Sequence, residues 1–353
     1  MGQTSRERVS RCLRFAHPDR APWDVWVLPY VSSRFPETVR ELERRFPSDF
    51  GSPPNVYRPS PRVKGDAYAI GEYVDEWGAT FTNIHGGVIG EVRAPLLAEI
   101  GDWRAARPPH ETLPADPGTA RAAVDRACAQ TERFVRAGCC PRPWERYQFL
   151  RGSQNALTDI MTFDAGGADL LRVIHEFHLR EVEFWATTGV DAIGFMDDWG
   201  SQRQLLIPPA LWRQFFKPLY RDYCELAHAH GKFAFMHSDG HIAEIYDDLV
   251  EIGVDALNSQ LFCMDMADLA RRAKGKLTFW GEIDRQHVLP AHDPQVGRAA
   301  VREVAKHFYD PAGGVIAQFE FTPGSNPATA VAIFEEWEQV QREVAGATND
   351  KKC

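Results

Sequence analysis

The sequence has no run of about 18 consecutive apolar residues, so nothing in it reads as a helical membrane span. The opening MGQTSRERVSRCLRF carries charge but no continuous apolar stretch, which argues against secretion. No CxxC pair occurs among the seven cysteines (Cys12, Cys128, Cys139, Cys140, Cys224, Cys263 and Cys353). Their scatter and odd number fit reduced thiols in a cytoplasmic protein. Positive charge is in deficit: 40 Lys and Arg stand against 49 Asp and Glu, for a net charge of −9. With no basic stripe interleaved with aromatics, a nucleic-acid surface is not indicated. No GxGxxG follows an early strand, and there is no GxSxG elbow, Walker loop or other nucleophile motif.

What is there is ordinary globular composition over 353 residues, 44% hydrophobic and 25% charged, enough to bury a large core. From Asp169 onward, short apolar runs alternate with amphipathic stretches. The runs are VDAIGFM (190–196), KFAFMH (232–237), VDALNS (254–259), KLTFWG (276–281) and GVIAQFE (314–320). LWRQFFKPLYRDYCELAHAHG (211–231) and IAEIYDDLVEIG (242–253) have helical patterns. ERYQFLRG (145–152) and PWDVWVL (22–28) read as two earlier strands. Such alternation predicts βαβ units on a parallel sheet covered on both faces. TTGVDAIGF and EIGVDALNS repeat one helix-end, glycine, strand-start pattern. Seven or eight parallel strands in a chain of this size predict an α/β fold, a (β/α)8 TIM barrel with an irregular N-terminal extension. The expected organisation is one barrel domain over 1–353. Residues 1–144 would form the extension and first units, 145–340 the regular units and 341–353 a tail. Two Pro-rich stretches, 46–62 and 106–118, read as long loops around the barrel mouth.

In a parallel barrel the chemistry collects at the C-terminal strand ends. The polar residues there are Asp197 and Asp198, His237 and Asp239, Asn258 and Gln260, Glu282 and Asp284, Gln318 and Glu320. A carboxylate at the end of an apolar strand is costly unless hydrogen-bonded, paired or bound to a metal. Helix capping accounts for such residues equally well one at a time, Asp198 and Asp284 in particular. Strand alternation puts His237 and Asp239 on the same face as Phe233 and Phe235, as metal ligands two residues apart would be, and likewise pairs Gln318 with Glu320. A His nitrogen with two carboxylates suits zinc with open positions, or manganese or iron. Of Asp197 and Asp198 only one can face inward, and Asp197 shares parity with the strand's larger residues. YVDEWGATF (73–81) sets Asp75 and Trp77 beside a glycine; Trp23, Trp26, Trp77, Trp199 and Phe235 line a pocket or, more ordinarily, pack the core. His228 and His230, two apart on a helix, do not face each other.

The segments 189–220 (GVDAIGFMDDWGSQRQLLIPPALWRQFFKPLY), 230–258 (HGKFAFMHSDGHIAEIYDDLVEIGVDALN) and 277–290 (LTFWGEIDRQHVLP) resemble the uroporphyrinogen decarboxylase superfamily. That group includes the decarboxylase and the zinc methyltransferases of corrinoid systems. The resemblance spans roughly residues 145–340 and implies the (β/α)8 barrel. The decarboxylase grips a polycarboxylate tetrapyrrole through an Arg-rich N-terminal signature. Here that region reads PWDVWVLPYVSSRFPE, with only Arg34, so haem biosynthesis is disfavoured. The methyltransferase branch carries His-x-Cys on this strand and a second Cys on the last. The resemblance therefore implies that His237, Asp239 and Glu320 take those positions, with oxygen ligands in place of thiolates. Such a set makes a harder, more Lewis-acidic zinc or other divalent ion, suited to a methyl donor's heteroatom.

On this reading Asp197, Glu282 and Gln318 are catalytic, and Asp75, Trp77, Trp23 and Asn258 contact a small methylated donor. No DxHxxG cobalamin signature occurs, so a corrinoid, if used, would come on a separate protein; the barrel is also expected to pair as a homodimer. Two alternatives stay open: a metal-free decarboxylase-like lyase using a carboxylate for proton transfer, and a non-catalytic ligand-binding barrel.

Overall fold

The structure is a computed structural model that describes residues 2–162 and 164–350, with side chains to 346. Its organising element is a curled sheet of parallel strands. We number these β1 (Trp23–Val27), β2 (Phe50–Gly51), β3 (Phe134–Val135), β4 (Ala192–Met196), β5 (Phe233–Ser238), β6 (Ala256–Ser259), β7 (Thr278–Trp280) and β8 (Val315–Phe321). Six of them form one continuous sheet in the order β1-β8-β7-β6-β5-β4. β2 and β3 pair with each other in the remaining arc. Isolated contacts join that pair to its neighbours: Asp49 N donates to Trp23 O at 2.9 Å, and Ala137 N donates to Ala192 O at 2.8 Å. The sheet is thus a barrel that its ladders do not fully close.

The five apolar runs of the C-terminal half and the run at 22–28 are strands β4 to β8 and β1. ERYQFLRG is not a strand. It lies in the helix Pro143–Arg151, which buries Trp144, Tyr147, Leu150 and Arg151 at helical spacing. The cause is remote in sequence. Asp197, at the end of β4, accepts hydrogen bonds from Trp144 N at 2.9 Å and Glu145 N at 2.7 Å. These are free donors of the helix's first turn, so a carboxylate caps the helix from another strand. Inside 46–62, read as a loop, lies β2. The closing segment is likewise more ordered than its polarity suggests. Helix Pro327–Asp350 runs through Gly346 and packs on helix Pro294–Phe308. Residues 351–353 of the expected tail lie outside the described residues.

Strand alternation decides which residues enter the barrel. Phe50, Phe134, Ala192, Phe235, Ala256, Trp280 and Ile316 form the inner cluster, with Val9, Cys12 and Leu13 of helix Ser5–Leu13. The outward residues pack the surrounding helices in a second, larger cluster. Between β2 and β3 the chain makes an excursion with its own antiparallel sheet, Gly71–Val74, Thr80–Asn83 and Glu91–Ala94. No helix of the described residues is long and apolar enough to cross a membrane.

Candidate active site

Above the inner apolar cluster, at the C-terminal end of the strands, the same parity brings polar side chains inward. β5 presents His237, buried to 8% exposure. Its ring orientation is set by a chain of hydrogen bonds. Asn258 Nδ2 donates to Trp280 O at 2.6 Å and to Gln318 Oε1 at 3.0 Å. Both partners are acceptors, so Asn258 Oδ1 must face His237, where it accepts from Nδ1 at 2.6 Å. The proton is thereby fixed on Nδ1, and Nε2 is left for the mouth.

Nε2 lies 3.5 Å from Asp198 Oδ1 and 3.5 Å from Asp239 Oδ1. One ligand atom from each of the three residues falls within 4.8 Å of the others. Asp239 Oδ1 is buried and has no hydrogen-bond partner. Burial alone would lower the imidazole's pKa, but the Asp198 carboxylate, with Glu282 and Asn258, outweighs this and raises it. The backbone supports the cluster. Asp239 N donates to Asp198 Oδ1 at 3.0 Å. Gly200 and Gly240 cross so closely that a Cβ on Gly240 would sit 2.0 Å from Gly200 O.

Glu282 follows β7 and is 3% exposed, with neither carboxyl oxygen hydrogen-bonded. Burial, reinforced by Glu320, Asp284 and Asp198, lifts its pKa to about 8 despite the opposing effect of His237. It is therefore an acid at neutral pH, the condition for general acid work. The turn that carries it requires Gly281, at φ +62°, where a Cβ would meet Gln318 Oε1 at 2.2 Å. Glu282, Asp284 and Arg285 line a cavity of about 190 Å³ with Gln202, Gln260 and Cys263. Gln318 Nε2 is buried without a partner. Trp26 faces inward, its ring 5.4 Å from that of His237. Its indole N–H and that of Trp280 each donate to Asp24 at 3.1 Å.

Other sequence-selected residues are placed elsewhere. Glu320 is separated from His237 by Arg285, whose guanidinium donates to both Glu320 and Asp239. Asp198, not Asp197, faces His237. Asp197 is fully buried, and besides capping the helix it accepts from Tyr220 Oη at 2.6 Å. Burial and neighbouring Glu145 push its pKa well up. Trp23 points outward by strand parity, packs on Phe46 and Phe334, and borders a separate surface cavity with Asp19, Arg20 and Glu338 rather than the mouth. Asp75 and Trp77 belong to the excursion. Asp75 pairs with Arg146 and accepts from Trp77 N at 3.0 Å, and Trp77 packs edge-on against Phe177 at 5.3 Å. Trp77 borders a different cavity, of about 420 Å³, with Tyr57, Arg142 and His178. Asp284 caps its own turn, accepting from Gln286 N and His287 N.

Sequence reasoning missed Arg285, Asp24 and Glu145. Glu145 is raised in pKa by burial and by Asp198, so it lies in the same electrostatic neighbourhood. Asp24 had a signal in the parity it shares with Trp26. Arg285 stands in a loop, where no periodicity assigns a direction.

Comparison with known proteins agrees with this architecture. A methyltransferase from Methanosarcina mazei is similar in structure, with a TM-score of 0.69 at 13% identity, over 96% of this chain and 99% of that one. A D-psicose 3-epimerase (13% identity, 66% of this chain and 82% of that one, TM-score 0.34) and a xylanase from Gloeophyllum trabeum (11%, 62% and 80%, 0.37) are too weakly similar to add to it. No curated protein matches the chain. The family model for uroporphyrinogen decarboxylase (URO-D) matches residues 77–340, well over half of the sequence. On that match, the chain belongs to the uroporphyrinogen decarboxylase family.

Proposed function

We propose that this protein is a metal-dependent, methyltransferase-like member of its family that removes a methyl group from a small methylated donor, on a (β/α)8 barrel. The observation that carries the reading is Nε2 of His237, on a ring locked by Asn258, which faces Asp198 and the oxygen of Asp239 that has no hydrogen-bond partner. One imidazole and two carboxylates within reach of one another fit a divalent ion of zinc type and leave positions open. Such an ion would supply Lewis acidity to the donor's oxygen or nitrogen.

The chain's own residues supply the rest. Glu282, protonated at neutral pH, gives its proton to the leaving heteroatom as the methyl group departs. The Gln318 amide N–H and the Trp26 ring orient the donor above His237. In this reading the acceptor is a corrinoid carried on a separate protein that docks at the mouth. The family's decarboxylase activity fits this mouth poorly. Asp24, Asp198, Asp239 and Glu320 outnumber Arg136 and Arg285 there, and both arginines already face these carboxylates, so a polycarboxylate would meet few free guanidinium partners.

The test is metal analysis of the purified protein, followed by assay of methyl transfer to free cob(I)alamin from a panel of methoxylated compounds and methylamines. About one divalent ion per chain, with transfer lost on chelation, is expected. Full transfer after chelation overturns the metal reading; a protein that holds no divalent ion and transfers no methyl group overturns the whole reading in favour of a metal-free lyase that uses Glu282.

A further inference from the structure

Glu320 ends β8 facing the mouth, yet it is not among the three residues that converge. What separates it is Arg285. Nη2 of this residue donates to Asp239 Oδ2, Nη1 donates to Glu320 Oε2, and Nε lies 3.5 Å from Glu282 Oε1. The other oxygen of Asp239, Oδ1, is the one that faces His237 Nε2 at 3.5 Å. Asp239 is therefore divided, with one oxygen held by the guanidinium and the other free for the site. Glu320 is held on the far side of the same fork. A planar guanidinium with donors in fixed directions can span two carboxylates in this way, whereas a single ammonium is a point charge.

We infer that Arg285 sets the ligand number of the site: by holding Glu320 it limits the protein donors to His237, Asp198 and Asp239, and so keeps a coordination position open for substrate. This deepens the metal reading above and rests on it. Arg285 is a positioning residue that acts through two carboxylates. Removing it frees a fourth donor, and a site with four protein ligands is closed, like structural zinc sites.

The experiment compares four proteins: wild type, Arg285→Gln, Glu320→Gln and the double variant. Each is loaded with Co²⁺ for visible spectroscopy and titrated with Zn²⁺ against a chromophoric chelator. In Arg285→Gln the Co²⁺ spectrum is expected to change as a carboxylate replaces water, and Zn²⁺ binding to tighten by about tenfold or more, the scale on which residues behind the ligands act. In the double variant the wild-type spectrum returns, and the extra affinity due to Glu320 is lost. Glu320→Gln alone leaves the spectrum unchanged and shifts affinity less than about twofold, so the cycle isolates the coupling between the two residues.

An unchanged spectrum in Arg285→Gln, or a change that persists in the double variant, overturns the inference while leaving the metal reading intact. A spectral change in Glu320→Gln alone also overturns it, and that arm does not depend on the arginine variant folding. A wild-type protein that takes up neither Co²⁺ nor Zn²⁺ sinks the metal reading itself, so the two failures are distinct.

Discussion

Two buried acidic sites stand at opposite ends of the same barrel, and they are built on opposite principles. At the N-terminal end Asp49, 1% exposed, accepts five hydrogen bonds: from Ser5 Oγ, Arg8 Nη1, both terminal nitrogens of Arg20, and Trp23 N. Its oxygens are saturated, and they tie helix Ser5–Leu13 to the starts of β1 and β2. At the C-terminal end Asp239 Oδ1, both oxygens of Glu282 and Gln318 Nε2 have no hydrogen-bond partner among the described residues, only charges at 3.5 Å beside Asp239 and Glu282. Leaving buried polar groups unpaired costs stability, each on the order of 1–3 kcal/mol. A fold that completes the first site and leaves the second incomplete is holding the second for something else. Saturation, more than acidity, separates Asp49 from the carboxylates of the proposed site.

The sharpest way to break this contrast is to remove one residue from each end. Asp49→Ala takes the carboxylate from Arg20 and from Trp23 N and leaves Arg8 paired with Asp19 alone, and should cost about 3–5 kcal/mol in chemical denaturation. Its Zn²⁺ affinity, if it stays folded, should not change. His237→Ala should do the reverse, lowering Zn²⁺ affinity by about 100-fold or more with a much smaller loss of stability. A large stability loss in His237→Ala with unaltered metal uptake would erase the distinction.

Asn258→Leu tests whether the lock behind His237 matters. It leaves Trp280 O and Gln318 Oε1 unpaired and frees the imidazole to change tautomer or rotate. Metal affinity should fall by about 10–100-fold, the range for partners of ligating histidines. Titration with a competing chelator reads this, and an affinity within twofold of wild type would show that the ring needs no such support.

How much of this was visible in the chain follows from which interactions are local. His237 and Asp239 could be read because an alternating strand assigns faces two residues at a time, and the same rule, applied to Trp23-Asp24-Val25-Trp26, sends Trp23 outward. β2 and β3 are two residues long and have no period to detect. The 145–152 segment reads as a strand because its helix depends on a cap from Asp197, more than forty residues away. The choice between Asp197 and Asp198 turned on that same long-range contact, since the helix takes the first and leaves the second to His237. Arg285 was present in a quoted segment, but only the fold shows that its loop carries it between Asp239 and Glu320.

The smallest predicted effect concerns Glu282 in metal-free protein. Its folded pKa of about 8 lies above the ordinary value of 4.5. Between those two values the folded state holds more protons than the unfolded state, so stability falls as pH rises. The stability at issue is fully present below about pH 4.5 and lost as pH passes through 8. Glu282→Gln cannot ionise, so it should remove this slope. At pH 8.5, in the presence of chelator, the variant should be more stable than wild type by about 1 kcal/mol or more, since one pKa unit corresponds to 1.36 kcal/mol. At pH 5 the two should be nearly equal. Melting curves across that range decide it: parallel profiles would mean that Glu282 ionises at its ordinary pH, and it would then be a poor proton donor for the reaction proposed above.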